Sequence, residues 1–158
     1  MYKRQVLLRY AIAIIALSAI GHFVPEVMGL GTGTVLGAVS GEYVLYFALI
    51  ILIGKILATS VSLGFGFFGG VFSPALLVGA SAGAVVAELF VVVGFLEKFE
   101  PALVVSGMAA VTGAVIGAPL CMVVIVMELT SSYIYALASL VGLTLSVSLS
   151  HILFGASY

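Results

Sequence analysis

The feature of this sequence that most limits its possible folds is the recurrence of long apolar runs along the whole chain. Five runs approach or exceed the roughly 20 residues that a helix needs to cross a ~30 Å hydrocarbon core. A secretory signal would explain one such run but not five. The sequence therefore predicts an all-α integral membrane protein, whose runs are residues 6–24, 43–63, 71–95, 101–130 and 133–154.

Composition agrees with a chain that uses the bilayer as its solvent. Of its 158 residues, 64% are hydrophobic and only 7% are charged, and the mean hydropathy is +1.42. These values are far outside the usage of soluble domains. Five basic and six acidic residues give a net charge of −1, so no basic face for nucleic acid is predicted. We expect the lipid bilayer, and no nucleic acid, as a partner.

Side chains that could carry enzyme or metal chemistry are few and scattered. The single cysteine, Cys121, lies inside an apolar run, which excludes an internal disulfide and disfavours a thiolate metal site. His22 and His151 have no partners at ligand spacing, and no HExxH, GxSxG or P-loop motif occurs. The sequence therefore predicts no enzyme, no metal site and no cofactor.

The fourth run is too long for one ordinary span, and Pro119 interrupts it. Proline lacks the amide donor that a helix interior needs and biases the preceding residue away from helical geometry. The pattern predicts two helices, 101–116 and 119–129, with Pro101 and Pro119 each at a first helical position. Pro74 is expected to take the same position in the third run. Residues 25–42 contain five glycines and a proline, which predicts a short re-entrant or interfacial segment.

Small residues recur at a spacing of four in three of the runs. In lipid, such stripes let helix backbones approach closely, because packing drives helix association there. The stripes predict a single domain of broken, tilted and closely packed helices. Their members are Gly79, Gly83 and Ala87; Ala109, Gly113 and Gly117; and Gly142, Ser146 and Ser150.

The stretch SLGFGFFGGVFSP combines four glycines with the start of an apolar helix. Glycine permits positive φ and close approach of a ligand, and the amides before a helix have no internal partners. With the positive end of the helix dipole, such amides can bind an anion. The alternative is that the glycines only permit tight packing at a re-entrant turn. The residues alone leave both hypotheses open.

Lys55, Glu88 and Glu128 lie within the apolar runs, where charge is costly and often functional. Lys55 could raise the local anion concentration, but snorkelling or pairing with a carboxylate is the favoured interpretation. Glu128 is expected to make an interhelical hydrogen bond, and Glu88 to lie near a membrane interface. None of the three is a candidate for proton transfer.

Residues 69–83, GGVFSPALLVGASAG, resemble the signature GGxFxPxxxxGAxxG of the chloride channel and transporter (CLC) family. The positions that match are Gly69, Gly70, Phe72, Pro74, Gly79, Ala80 and Gly83. The stretches FVPEVMGLGTGTV and KILATSVSLGFG before it, and SGMAAVTGAVIGAPLCMVVIVMELTSSY after it, are also similar to family segments. The likeness extends over nearly the whole chain after Gln5.

This resemblance implies the second of two inverted halves of a CLC-type membrane domain. It implies that Gly70 and the amides of Val71 and Phe72 help to bind a central chloride or similar anion, and that the hydroxyl of Tyr158 contributes. Gly69, Pro74, Gly79 and Gly83 would form the helix start and its packing motif. The implied partners are the missing N-terminal half of the same subunit and a second subunit in a homodimer, in a cell membrane of prokaryotic plasma-membrane type.

Two departures from the family pattern bear on function. The first-half stretches GSGIP and GREGP are absent, so a voltage-gated chloride channel and a chloride/proton antiporter are not distinguished. Phe65, Phe67 and Phe68 stand where relatives more often have small residues, which could narrow a vestibule or fill a packing gap. The alternative hypotheses are a cation-coupled solute carrier with discontinuous helices and a membrane assembly protein that transports nothing.

The first residues, MYKRQ, are similar to a translated sequencing-adapter end, and we expect residues 1–5 to be a non-native leader. The domain organisation predicted is therefore this leader followed by a CLC-type C-terminal half, a fragment of a transmembrane domain, over residues 6–158.

Overall fold

A computed structural model describes residues 2–67, 69–95 and 100–155, and all regular structure within them is helical. This confirms the predicted all-α class. A single 3-10 turn, Pro25–Val27, separates the first two helices. The helices are α1 Tyr2–Phe23, α2 Thr32–Val39, α3 Leu45–Gly64, α4 Phe72–Val92, α5 Pro101–Ile116, α6 Pro119–Thr130 and α7 Tyr133–Phe154.

Three of these helices are long and apolar enough to cross a membrane: α3, α4 and residues 133–153 of α7. The apolar parts of α1, α5 and α6 are shorter, at 10–17 residues. Residues 25–42 form no spanning helix, as the glycine-rich sequence predicts. They form the 3-10 turn and α2, which packs on α4 and α5 and buries Thr34, Gly37 and Ala38.

The break in the fourth run lies where Pro119 predicts it. Gly117 ends α5 in the left-handed conformation (φ 73°), with its amide donating to the Gly113 carbonyl at 3.0 Å. Pro119 then begins α6, where its missing N–H leaves no hydrogen bond unmade. The end of α6 is one residue later than predicted, at Thr130, whose hydroxyl donates to the Val126 carbonyl at 2.7 Å.

The predicted boundaries of α4 need correction. The helix begins at Phe72, so Pro74 is its third residue and not its first. Proline is tolerated there because no amide in the first turn has an intrahelical acceptor. The first helical bond runs from the Ala75 amide to the Val71 carbonyl at 3.1 Å. At its other end α4 stops at Val92, before the 95 expected, because Gly94 turns the chain with φ 78°.

Glycines hold α4 and α5 in close contact. A Cβ atom built on Gly79 would lie 2.5 Å from the carbonyl oxygen of Gly107, and one on Gly83 would lie 2.5 Å from that of Leu103. Real Cβ atoms do not approach so closely, so no larger residue fits without a backbone shift. The predicted packing role of Gly79 and Gly83 is confirmed. Gly107, their counterpart on α5, was missed because it lies outside the regular spacing of four.

Helix α5 also packs against α7, through small and hydroxyl residues. Ser106 donates to the Ala138 carbonyl at 3.0 Å, and Ser146 donates to the Ala110 carbonyl at 3.1 Å. Gly142 lies against Ser106, where a Cβ would collide with it. The interface therefore confirms the packing role of Gly142 and Ser146 in the stripe on α7. In the stripe on α5, Gly117 instead ends the helix.

Candidate functional site

A cleft of about 300 Å³ opens where α3 ends and α4 begins. One wall comes from α1 and the segment after it, and the other from α3 and the start of α4. Most of its side chains are apolar. The lining residues are Leu17, Val27, Met28, Gly29, Lys55, Ala58, Thr59, Ser62, Leu63, Phe67, Gly69, Gly70, Val71 and Pro74.

The start of α4 presents free amide donors at this cleft. Val71 caps the helix, and the amides of Val71, Phe72 and Ser73 make no hydrogen bond within residues 2–67, 69–95 and 100–155. Val71 and Phe72 are each 40% exposed. Because α4 has 21 residues, the partial positive charge of its dipole adds to these donors. This arrangement favours a negative charge.

Gly69 and Gly70 contribute open space to the cleft. No described atom lies within 4 Å of a Cβ built on either residue, and neither has a left-handed φ. Among the four glycines of the stretch SLGFGFFGGVFSP, only Gly66 has a left-handed backbone conformation, with φ 85°. Positive φ is therefore required at Gly66, where α3 ends, and Gly69 and Gly70 serve by leaving the backbone uncovered.

Lys55 is buried in the wall of the same cleft, with 5% of its surface exposed. Its Nζ donates to the carbonyl oxygens of Val27 at 2.7 Å and Gly29 at 3.1 Å. It neither snorkels to an interface nor pairs with a carboxylate of the described chain, so the favoured prediction was wrong. Carbonyl oxygens stabilise the ammonium but carry no net charge. Within the described residues, the amino group of Lys55 therefore has two carbonyl acceptors and no carboxylate partner.

Three helices hold the segment after α1 through its carbonyl groups. Besides Lys55 from α3, Thr34 of α2 donates to the Glu26 carbonyl at 3.0 Å, and Ser73 of α4 donates to the Leu30 carbonyl at 2.5 Å. Irregular backbone at membrane depth is tolerated where protein groups satisfy it. Ser73 also ties this segment to the first turn of α4, beside the free amides. No residue pattern in the sequence indicated these bonds.

Phe67 reaches the cleft because of the way α3 ends. Gly66 turns the chain, and the amide of Phe67 donates back to the Ser62 carbonyl at 2.9 Å, which closes a Schellman-type end. The Phe67 ring meets Tyr10 of α1 edge-on, with ring centroids 5.3 Å apart. Phe67 fits both interpretations, since it lines the cleft and its ring also packs against Tyr10. Phe68 lies outside the described residues.

The structure brings together part of the predicted site. Gly69, Gly70, Val71 and Pro74 line the cleft, and Phe72 follows them as the first residue of α4. The packing residues Gly79 and Gly83 lie further along α4 against α5, away from the cleft. Tyr158 lies outside the described residues.

The other ionisable candidates lie away from this cleft. Glu128 is exposed and makes no hydrogen bond within the described ranges, so the predicted interhelical bond is not found. Glu88 is partly exposed near the end of α4. Within the part of the chain that the structure describes, no three His, Cys, Asp or Glu side chains are grouped as a metal site.

Comparison with known proteins identifies the family. The model of the family described as voltage gated chloride channel matches residues 1–151. The chain belongs to the voltage-gated chloride channel family. Family membership and the apolar helices make it a multi-pass membrane protein.

Several curated relatives align with parts of the chain. An uncharacterized protein of Methanocaldococcus jannaschii is 35% identical over 106 residues, 67% of this chain and 25% of the relative. A protein named chloride channel protein ClcB-like, of Ralstonia nicotianae, is 32% identical over 127 residues, 80% of this chain and 30% of the relative. The H(+)/Cl(-) exchange transporter ClcA of Vibrio cholerae is 32% identical over 113 residues, which are 70% of this chain and 24% of the relative.

The chain therefore spans between 24% and 30% of the length of these relatives. Their bacterial and archaeal sources agree with the predicted prokaryotic plasma membrane. No solved structure matches the chain significantly.

Proposed function

We propose that this chain forms part of a pathway for chloride or a similar anion across the membrane. The observation that carries the proposal is the cleft itself, where the buried ammonium of Lys55 and the start of α4 line one space. A cation with no carboxylate partner and amide donors with no acceptor, among the described residues, both stabilise a negative charge. They do so most strongly in a site of low dielectric constant.

The mechanism is electrostatic. An anion that enters the cleft exchanges water for the amides of Val71 and Phe72, and the field of Lys55 raises its local concentration. Ion conduction requires binding that is strong enough to replace hydration and weak enough to allow release. Neutral amide donors and a lysine already engaged with two carbonyls meet both requirements.

The complete pathway involves more than this chain. The family resemblance supports an N-terminal half that contributes further ligands, the Tyr158 hydroxyl as one ligand, and a homodimer of complete subunits. The names of the relatives include a chloride channel protein and a proton/chloride exchanger, so both modes are candidates.

Anion flux through liposomes that contain the complete subunit tests this proposal. We expect chloride efflux that depends on the protein, with accompanying proton movement in an exchanger and none in a channel. A membrane assembly protein predicts no flux, and a cation-coupled solute carrier predicts cation-driven uptake of a solute without any protein-dependent chloride efflux. Either of those two results would contradict an anion pathway.

A further inference from the structure

Helix α3 has a polar face of which the anion site described above uses only Lys55. The helix is long and apolar enough to cross a membrane, and its polar side chains after Tyr46 are Lys55, Thr59, Ser60 and Ser62. Lys55, Thr59 and Ser62 follow the i, i+4, i+7 spacing that puts residues on one helix face. All three line the cleft, whereas Ser60 lines only the adjoining cleft between α3, α4 and α5, to which Thr59 also contributes. The polar face thus coincides with the cleft wall.

The hydroxyl groups on this face are uncommitted. Ser and Thr in helices often donate to the carbonyl four residues earlier, as Ser81, Thr130 and Ser139 do in this chain at 2.7–2.8 Å. Thr59 and Ser62 make no such bond, nor any other side-chain bond within the described residues. Their donors therefore remain available to a species inside the cleft.

We propose that the hydroxyls of Thr59 and Ser62 donate hydrogen bonds to the anion and connect Lys55 with the start of α4. This inference rests on the proposed function. From Lys55 to Ser62 the helix rises by about 10 Å. The two hydroxyls therefore divide the path of the anion between Lys55 and the start of α4 into short steps. Each replaces part of the hydration shell as the ion moves.

The ligand class that this face suits is a small monovalent anion with high charge density. Hydroxyl donors form stronger hydrogen bonds with chloride than with larger anions such as iodide, whose charge is more diffuse. Thr59 and Ser62 are therefore residues that determine specificity, and they favour chloride over iodide.

Variants of the complete subunit test the inference. Thr59→Val keeps the side-chain shape and removes the hydroxyl, Ser62→Ala removes the second hydroxyl, and Ser60→Ala is the matched control outside the cleft. For the Thr59→Val/Ser62→Ala double variant we expect about tenfold weaker chloride binding by calorimetry and a lower chloride-to-iodide flux ratio. Ser60→Ala is expected to match the parent, and Thr59→Ser, which keeps the hydroxyl, to retain the parental selectivity.

The outcomes separate this inference from the proposed function. If the parent protein carries no anion in liposomes, the proposed function fails, and the inference fails with it. If the parent carries chloride and the double variant has the affinity and flux ratio of Ser60→Ala, the hydroxyl contacts alone are refuted. The hydroxyl contacts would also be refuted if Thr59→Val and Thr59→Ser each lost chloride binding, because the serine hydroxyl would then fail to replace that of threonine.

Discussion

Glycine has opposite consequences just before α4 and within it. At the start of the helix, a Cβ on Gly69 or Gly70 would meet nothing within 4 Å. Two turns further on, a Cβ on Gly79 or Gly83 would collide with the backbone of α5. One segment of sequence thus combines an open polar region at the cleft with a closed apolar region between helices. The comparison shows that glycine spacing alone does not reveal which purpose a glycine serves.

The largest effect on stability and on chloride flux is expected in the open polar region at the cleft, from Lys55→Met. The carbonyls of Val27 and Gly29 would lose their buried donor, at a cost of about 3 kcal/mol in the free energy of unfolding, and the positive charge would disappear. Thermal unfolding in detergent and chloride flux should both decrease. Lys55→Arg is the control that keeps the charge. A Lys55→Met protein with parental stability would contradict the carbonyl contacts described for Lys55.

The next prediction compares the two glycine environments directly. Gly83→Ala should lower the free energy of unfolding by about 2 kcal/mol, because the new methyl group forces α4 and α5 apart. Gly70→Ala should change it by no more than about 0.5 kcal/mol, since its methyl group enters open space. Unfolding midpoints of the two proteins measure this difference. Equal midpoints would remove the distinction between the open and the closed region.

Removal of one donor at the start of α4 should have a smaller effect, confined to the anion. Val71→Pro deletes the amide hydrogen, and the φ of −81° at this residue is close to that of proline. We expect about tenfold weaker chloride binding by calorimetry. Val71→Leu keeps the amide and serves as the control. Parental affinity in a folded Val71→Pro protein would exclude this amide from the site.

The smallest effect is expected at Tyr158. Tyr158→Phe removes only the hydroxyl and should weaken chloride binding by about fivefold or less, since one neutral donor among several is lost. The selectivity series for chloride, bromide and iodide provides the measurement. An unchanged series would withdraw Tyr158 from the proposed ligands.

The sequence predicted the features that follow from the chemistry of single residue types, such as the missing amide hydrogen of proline or the small side chains of glycine and alanine. The division of the fourth run follows from Pro119, and the close contact of α4 with α5 follows from small residues that carry no bulk. The start of α4 was less certain, because proline fits anywhere in a first helical turn and Pro74 therefore does not identify the first residue.

The missed features depend on which backbone groups meet in space. The partners of Lys55 are carbonyl oxygens of a distant segment, and any residue type can supply a carbonyl. Ser73 and Thr34 bind the same segment in the same way. The polar spacing of Lys55, Thr59 and Ser62 was visible in the sequence, but which cleft that face lines was not.

The central claim is that an anion binds where Lys55 and the start of α4 line one cleft. Anomalous diffraction from crystals of the complete subunit grown in bromide tests it most directly, because bromide replaces chloride and can be located by its own signal. We predict a bromide peak in the cleft, within hydrogen-bonding distance of the amides of Val71 or Phe72. Bromide sites found only elsewhere in the protein, with none in this cleft, would contradict the claim.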